Sequence, residues 1–157
     1  MIELKGPAFV RPAGYGDHMK LASADARTRF ASSPVARLAT AGADGVPHVV
    51  PITFAISDNA VFFAIDHKPK TSWNLRRLRN IRENPHVAVL VDHYAPDWST
   101  LWWSRGDGQA EVWDSGDDRL KAVELLQDKY EQYRDHPPEG PVVIVRVEHW
   151  SGWAFTE

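Results

Sequence analysis

The chain of 157 residues has no cysteine. Disulfides and thiolate metal sites are therefore excluded, and the sequence suits a reducing, cytoplasmic setting. No apolar run approaches the roughly 20 residues that a membrane span needs. The N-terminal region lacks the apolar core of a signal peptide. The seven histidines are scattered, and no His-Glu-x-x-His helix offers a metal site. There is no P-loop, no Rossmann fingerprint and no Gly-x-Ser-x-Gly elbow. Gly14-Tyr15-Gly16 and Gly106-Asp107-Gly108 are isolated pairs without the rest of such a motif. Excess positive charge is also missing: the net charge is −3, which argues against a nucleic-acid partner. The chain thus lacks a self-sufficient nucleophile or acid–base apparatus. Chemistry carried by a bound cofactor fits that lack.

What is present is an ordinary globular balance, 43% hydrophobic and 25% charged, enough to bury a core in one domain. Seven tryptophans are many for this length and imply a large aromatic core or rings that meet a partner. The stretch from Val46 to Asn84 organises the rest. Val46–Ile56 alternates: Val46, His48, Val50, Ile52, Phe54 and Ile56 point to one side, and Pro47, Val49, Pro51, Thr53 and Ala55 to the other. The first set is large and faces a core. The second is small, so a flat molecule can lie against it, and its two prolines remove two ladder donors. A second strand, Val61–Asp66, leads into His67-Lys68-Pro69-Lys70-Thr71-Ser72. Lysines and hydroxyls where a strand gives way to a helix favour an anion. The residues alone suggest a flat heterocycle on the strands with its phosphate at the lysines.

In chain order, residues 1–18 read as an extension, a cloning remnant or a flexible arm that could drape over a partner, with Met19 as a natural start. Residues 19–157 form the folded domain. Ser23 is expected to cap a helix Ala24–Ala31, ended by Pro34. Val35–Ala41 is the first strand, and Asp44-Gly45 turns it into Val46–Ile56, which continues through Ser57-Asp58-Asn59 to Val61–Asp66 as an antiparallel meander. Thr71 or Ser72 caps a helix to about Asn84 with Leu75, Leu78 and Ile81 buried. Its arginines, Arg76, Arg77, Arg79 and Arg82, make either a solvated face or a dock for an anionic tail. Val87–Tyr94 is a buried strand, and Thr100–Trp113 a long one bent near Gly106 and Gly108. Trp102 and Trp103 must point to opposite faces. Ser115-Gly116-Asp117-Asp118 reads as a capping box for a helix Asp118–Arg134 with Val123, Leu126, Tyr130 and Tyr133 on one stripe. Val142–Glu148 is the last strand, followed by a tail His149–Trp153. The fold class is mainly β with flanking helices.

The strand PHVVPI followed by VFFAIDHKPKTSWNLRRLRNIRENPHVAVLVDHY resembles the pyridoxamine 5′-phosphate oxidase-like split-barrel superfamily. Within it, the chain is similar to the branch of small oxidoreductases that use the deazaflavin coenzyme F-420. The resemblance runs from about Phe30 to the end. It implies an antiparallel split β-barrel, a homodimer, and cofactor sites at the subunit interface. Backbone of the second strand (His48, Val49, Val50, Pro51) would meet the ring. Ala64 and Ile65 would meet the ring and its side chain. Lys68, Lys70, Thr71 and Arg76 would meet the phosphate and anionic tail. Lys70 matches the lysine of the flavin-using relatives' Ser-Arg-Lys triplet, while Pro69 replaces the arginine and Lys68 the serine. His48 stands where the oxidases carry an arginine. These departures point away from FMN and the oxidase reaction. The implied activity is hydride transfer from reduced F-420 to a small organic acceptor, with His93, Trp102, Arg105 and Trp153 as the acceptor pocket, some from the partner subunit. Two alternatives remain. One is an FMN-binding flavoprotein of the same fold. The other is a non-enzymatic carrier of a flavin, deazaflavin or related tetrapyrrole. Neither metal, membrane nor nucleic acid is implied.

Overall fold

The computed structural model describes residues 19–65 and 75–155. Residues 1–18, residues 66–74 with Lys68, Lys70, Thr71 and Ser72, and the last two residues lie outside the described part. Seven antiparallel strands make one sheet: β1 (Ala36–Ala41), β2 (Pro47–Ile52), β3 (Ala55–Ser57), β4 (Ala60–Ala64), β5 (His86–His93), β6 (Trp102–Trp113) and β7 (Val142–Ala154). Their spatial order is β2-β1-β5-β6-β7-β4-β3. The two end strands, β2 and β3, are consecutive in sequence, so the sheet curls back on itself as a split barrel. The helices are α1 (Ser23–Ala31), α2 (Arg76–Glu83), α3 (Asp117–Lys129) and α4 (Glu131–Asp135), with a 3-10 turn at Trp98–Thr100. Among the described residues no helix is long and apolar enough to cross a membrane.

Alternation decides which residues enter the barrel. Leu38, Val89, Val91, Val143 and Val145 are buried there with Phe30 of α1 and Phe54. The Phe30 ring sits 4.8 Å from Phe54 and 5.1 Å from Trp150, centroid to centroid. Each such ring contributes roughly 2–3 kcal/mol by leaving water. A second cluster (Ala55, Ala64, Val123, Leu126, Tyr133, Val142) packs α3 and α4 against the outer side of β3, β4 and the start of β7. As expected, Leu78 and Ile81 of α2 face the core, with Leu75 packed against it, while Arg76, Arg79 and Arg82 are exposed.

Several boundaries differ from the sequence expectation. The strand Val46–Ile56 is two strands, broken at Thr53 and Phe54. Tyr130 Oη accepts from the Phe54 N–H (2.9 Å) and lies 2.7 Å from the Phe54 carbonyl, which takes both groups out of any ladder. The meander is therefore two hairpins at opposite ends of the strand order, and β4 pairs with β7. The strand expected to reach Asp66 ends at Ala64, after which the Ile65 N–H donates to the Pro141 carbonyl. The helix expected over Asp118–Arg134 is interrupted at Tyr130, whose backbone is extended (φ −122°, ψ 120°). Tyr130 leaves the helix to place its hydroxyl on Phe54 and Pro34. The expected side-chain caps are absent: Ala22, Leu75 and Gly116 occupy the N-cap positions of α1, α2 and α3, none with a capping side-chain bond. The tail His149–Trp153 belongs to β7, because β6 pairs along its whole length with it. That pairing shifts register between Asp107 and Gly108, the bend expected from the glycines.

Candidate functional site

Register assigns the candidate residues in strands to a face. His48 pairs with Thr40, Val50 with Leu38 and Ile52 with Ala36, all on the barrel's inner face. Val49 pairs with Ala39 and Pro51 with Arg37 on the outer face. The β2 residues expected to meet a cofactor thus divide between two faces, with the small set outward as the alternation implied. Val49 is 61% exposed, so its face carries an uncovered apolar residue.

A cavity of about 270 Å³ forms where the β2–β3 corner meets the end of β4 and the start of α2. Val35, Pro51, Ile52, Thr53, Ala64 and Arg77 line it. Of the expected cofactor residues it brings Pro51 and Ala64 together. Ile65 follows Ala64 but is buried in the core. Val35, Thr53 and Arg77 were not foreseen there. Arg77 was visible only as one of four arginines, and Thr53 only as a member of the small face of Val46–Ile56, not as a named cofactor contact. The lining is apolar apart from the Thr53 hydroxyl and the Arg77 guanidinium. That composition suits a ring system with a polar edge or an anionic substituent. Lys68, Lys70 and Thr71 lie outside the described residues, which stop at Ile65, one residue after Ala64 of the lining, and resume at Leu75, two residues before Arg77.

His48 sits near the same helix start. Burial, then the charges of Arg76 and Arg77, push its imidazole below the usual range, so the ring is neutral at pH 7. Its Nδ1 is buried and has no hydrogen-bond partner among the described residues. Beside it on the inner face the buried Asn80 donates to Thr40 Oγ1 at 3.0 Å.

The four residues expected in an acceptor pocket do not share a face of one chain. His93 pairs with Trp102, and Trp102 packs on the inner side, with the Arg29 guanidinium 5.6 Å from its ring. Arg105 and Trp153 are outward, Trp153 opposite Trp103 and Arg105 opposite Ser151. Arg105 lies over the Trp103 ring at 5.9 Å and is paired with Asp107 at 2.9 Å. The opposite orientation of Trp102 and Trp103 is as expected. The outward faces of β2, β1, β5 and β6 together form a surface that no element among the described residues covers, whose shallow concavity of about 460 Å³ has a floor of Ala39, Ala41 and Ala88 and a rim that includes His86 and His149. No group of three or more histidines and carboxylates among the described residues is arranged to hold a metal.

Solved structures of similar shape include an FAD-binding protein from Mesorhizobium loti (TM-score 0.66, 21% identity, 85% of this chain and 94% of that one). They also include a conserved hypothetical protein from Mycobacterium tuberculosis (TM-score 0.72, 17% identity, 89% of each chain). A third is the haem storage protein of Vibrio cholerae (TM-score 0.66, 16% identity, 87% of this chain and 100% of that one). At these identities the likeness establishes the fold. No curated protein matches the sequence. The family pattern described as pyridoxamine 5′-phosphate oxidase matches residues 22–154, nearly the whole described chain, and the protein belongs to that family.

Proposed function

We propose that the chain is a deazaflavin-dependent reductase whose cofactor ring enters the cavity at the β2–β3 corner. The observation that carries this reading is the lining: a slot whose side chains are apolar apart from those of Thr53 and Arg77. Its volume of about 270 Å³ falls below the roughly 300–1,000 Å³ of complete small-molecule sites. It therefore takes part of the ligand and leaves the remainder to residues outside its lining and to a second copy of the chain. Reduced F-420, when bound, supplies hydride from its ring carbon C5. The chain supplies placement and field. Pro51, Ile52 and Ala64 give the ring an apolar wall. Arg77, with Lys68, Lys70 and Thr71, neutralises the phosphate. The exposed Arg76, Arg79 and Arg82 of α2 offer a cationic track for the γ-linked glutamates of the tail. Neutral His48 beside Arg76 and Arg77 adds no charge of its own. An acceptor lies on the outward side, between the cofactor and the second copy.

The relatives of known shape favour a second reading, a flavin-binding protein of the same fold, since one is described as FAD-binding. Equilibrium fluorescence titration of the purified chain with F-420 and with FMN separates the two. The expected result is F-420 binding at least tenfold tighter than FMN, because FMN has no tail for α2. FMN binding as tight or tighter overturns the deazaflavin reading in favour of the flavin one.

A further inference from the structure

We infer that the Thr53–Tyr133 hydroxyl pair is the hydrogen-bonding contact of the cavity with the heterocyclic edge of its ligand. Thr53 touches the ligand, and Tyr133 sets its direction. Thr53 lines the cavity at the corner between β2 and β3. Its Oγ1 lies 2.8 Å from Tyr133 Oη, a contact that spans 80 residues of sequence. Tyr133 is only 8% exposed, so its ring is fixed in the α3–α4 cluster and its hydroxyl has little freedom. The next residue, Phe54, is locked through both backbone groups by Tyr130. Tyr130 lies within hydrogen-bonding distance of the Pro34 carbonyl as well, next to Val35 on the same cavity wall. Lys129 fastens the segment before it by donating to the Ser33 carbonyl at 2.8 Å. Lys129, Tyr130 and Tyr133, at the junction of α3 and α4, thus hold the two segments that form this wall.

A threonine hydroxyl donates one hydrogen bond and accepts two. Tyr133 occupies one of these capacities, and the cavity is the open direction for the rest. Elsewhere the lining is apolar or cationic, so Thr53 is the neutral polar group that can read a carbonyl or ring N–H. The ligand class is a fused heterocycle with an imide-like edge, whose shape suits an apolar slot closed by one hydroxyl. A hydroxyl that must meet such an edge rejects rings lacking it, because burying the hydroxyl unpaired is costly.

This inference rests on the cofactor reading above. The test uses Thr53→Val, Tyr133→Phe, the double variant and Thr53→Ser, each titrated with F-420 and FMN, and with riboflavin and dephosphorylated deazaflavin as phosphate-free rings. For the chromophore that the wild type binds, each of the first two variants is expected to weaken binding by about five- to twentyfold. The double variant is expected to be no worse than about twofold beyond either single one, and Thr53→Ser to bind as the wild type does. The factor should be the same with and without the phosphate, and the visible band of the bound chromophore should shift in both variants. Unchanged affinity, additive losses, or a loss confined to the phosphate-bearing ligand overturns the inference while the cofactor reading stands. Binding of neither chromophore by wild type overturns both. A circular dichroism melt of each variant identifies a folding defect, in which case Thr53→Ala decides the question by the same criteria.

Discussion

Lys129 carries a positive charge where the fold gives it little water. Its Nζ lies 3.7 Å from the centroid of the Phe54 ring and bonds the Ser33 carbonyl. Burial pushes its pKa down to about 8 from 10.5. Below pH 8 both folded and unfolded chains hold the proton, and the native state bears the full desolvation cost of the charge. Between pH 8 and 10.5 the unfolded chain still holds a proton that the native state has released, so stability rises with pH through that window. Tyr130 works the other way: burial raises its pKa above 10, so deprotonation of the unfolded chain withdraws stability at higher pH still. The measurable quantity is the difference between wild type and Lys129→Met in urea unfolding. Wild type should gain stability relative to the variant from pH 7.5 to 9.5. A pH-independent difference would mean that the amine is solvated enough to keep its ordinary pKa.

At the scale of elements, the long β6–β7 ladder depends on one residue without a side chain. A Cβ on Gly108 would collide with the Arg146 carbonyl at the point where the register shifts past Asp107. The clash is with backbone inside two paired strands, so it cannot be relieved by a rotamer change. Gly108→Ala is expected to destabilise the fold by about 1–3 kcal/mol or more, the usual cost of overpacking, and a fall in the denaturant midpoint checks it. Gly45, in the turn between β1 and β2, has φ +70° and nothing near its Cβ position, so there the cost of alanine comes from backbone strain alone. The contrast shows what the sequence could convey. Alternation in β2, the apolar run of β5, the Asp44-Gly45 turn and the α2 stripe are local signals, and the fold follows them. The break at Phe54 and the interruption at Tyr130 have a common cause, one hydroxyl meeting a backbone 76 residues away, and no local pattern encodes it. The candidate site was half legible for the same reason. Pro51 and Ala64 lie on strands whose faces can be read from alternation. Thr53 shares the small face of Pro51 in the sequence pattern, whereas Val35 and Arg77 join them only because the barrel closes. Arg105 and Trp153 share the outer face while Trp102 turns inward, a consequence of strand parity.

The whole molecule has a lopsided cover. Helices α3 and α4 shield the outer side of β3 and β4, and no element among the described residues covers the outward face of β2, β1 and β5. That face is floored by small residues, Ala39 and Ala88 side by side in register, with the exposed Val49 beyond them. Small residues let another sheet approach closely, and an uncovered apolar face of this extent marks an interaction surface. We propose that a second copy of the chain packs there, bringing its outward Arg105 and Trp153 toward the cofactor cavity of the first. An isologous contact of this kind doubles any change made near its axis. Ala88→Arg places two guanidinium groups into the interface of each dimer and leaves the barrel interior untouched, since the side chain points away from the core. Sedimentation equilibrium should then show a monomer in place of a dimer, with an unchanged circular dichroism spectrum. If the second copy completes the site, the same variant should bind cofactor at least tenfold more weakly although no cavity-lining residue has changed. A monomeric variant with full affinity would confine the site to one chain, and a wild type that sediments as a monomer would leave the outward face to a different partner.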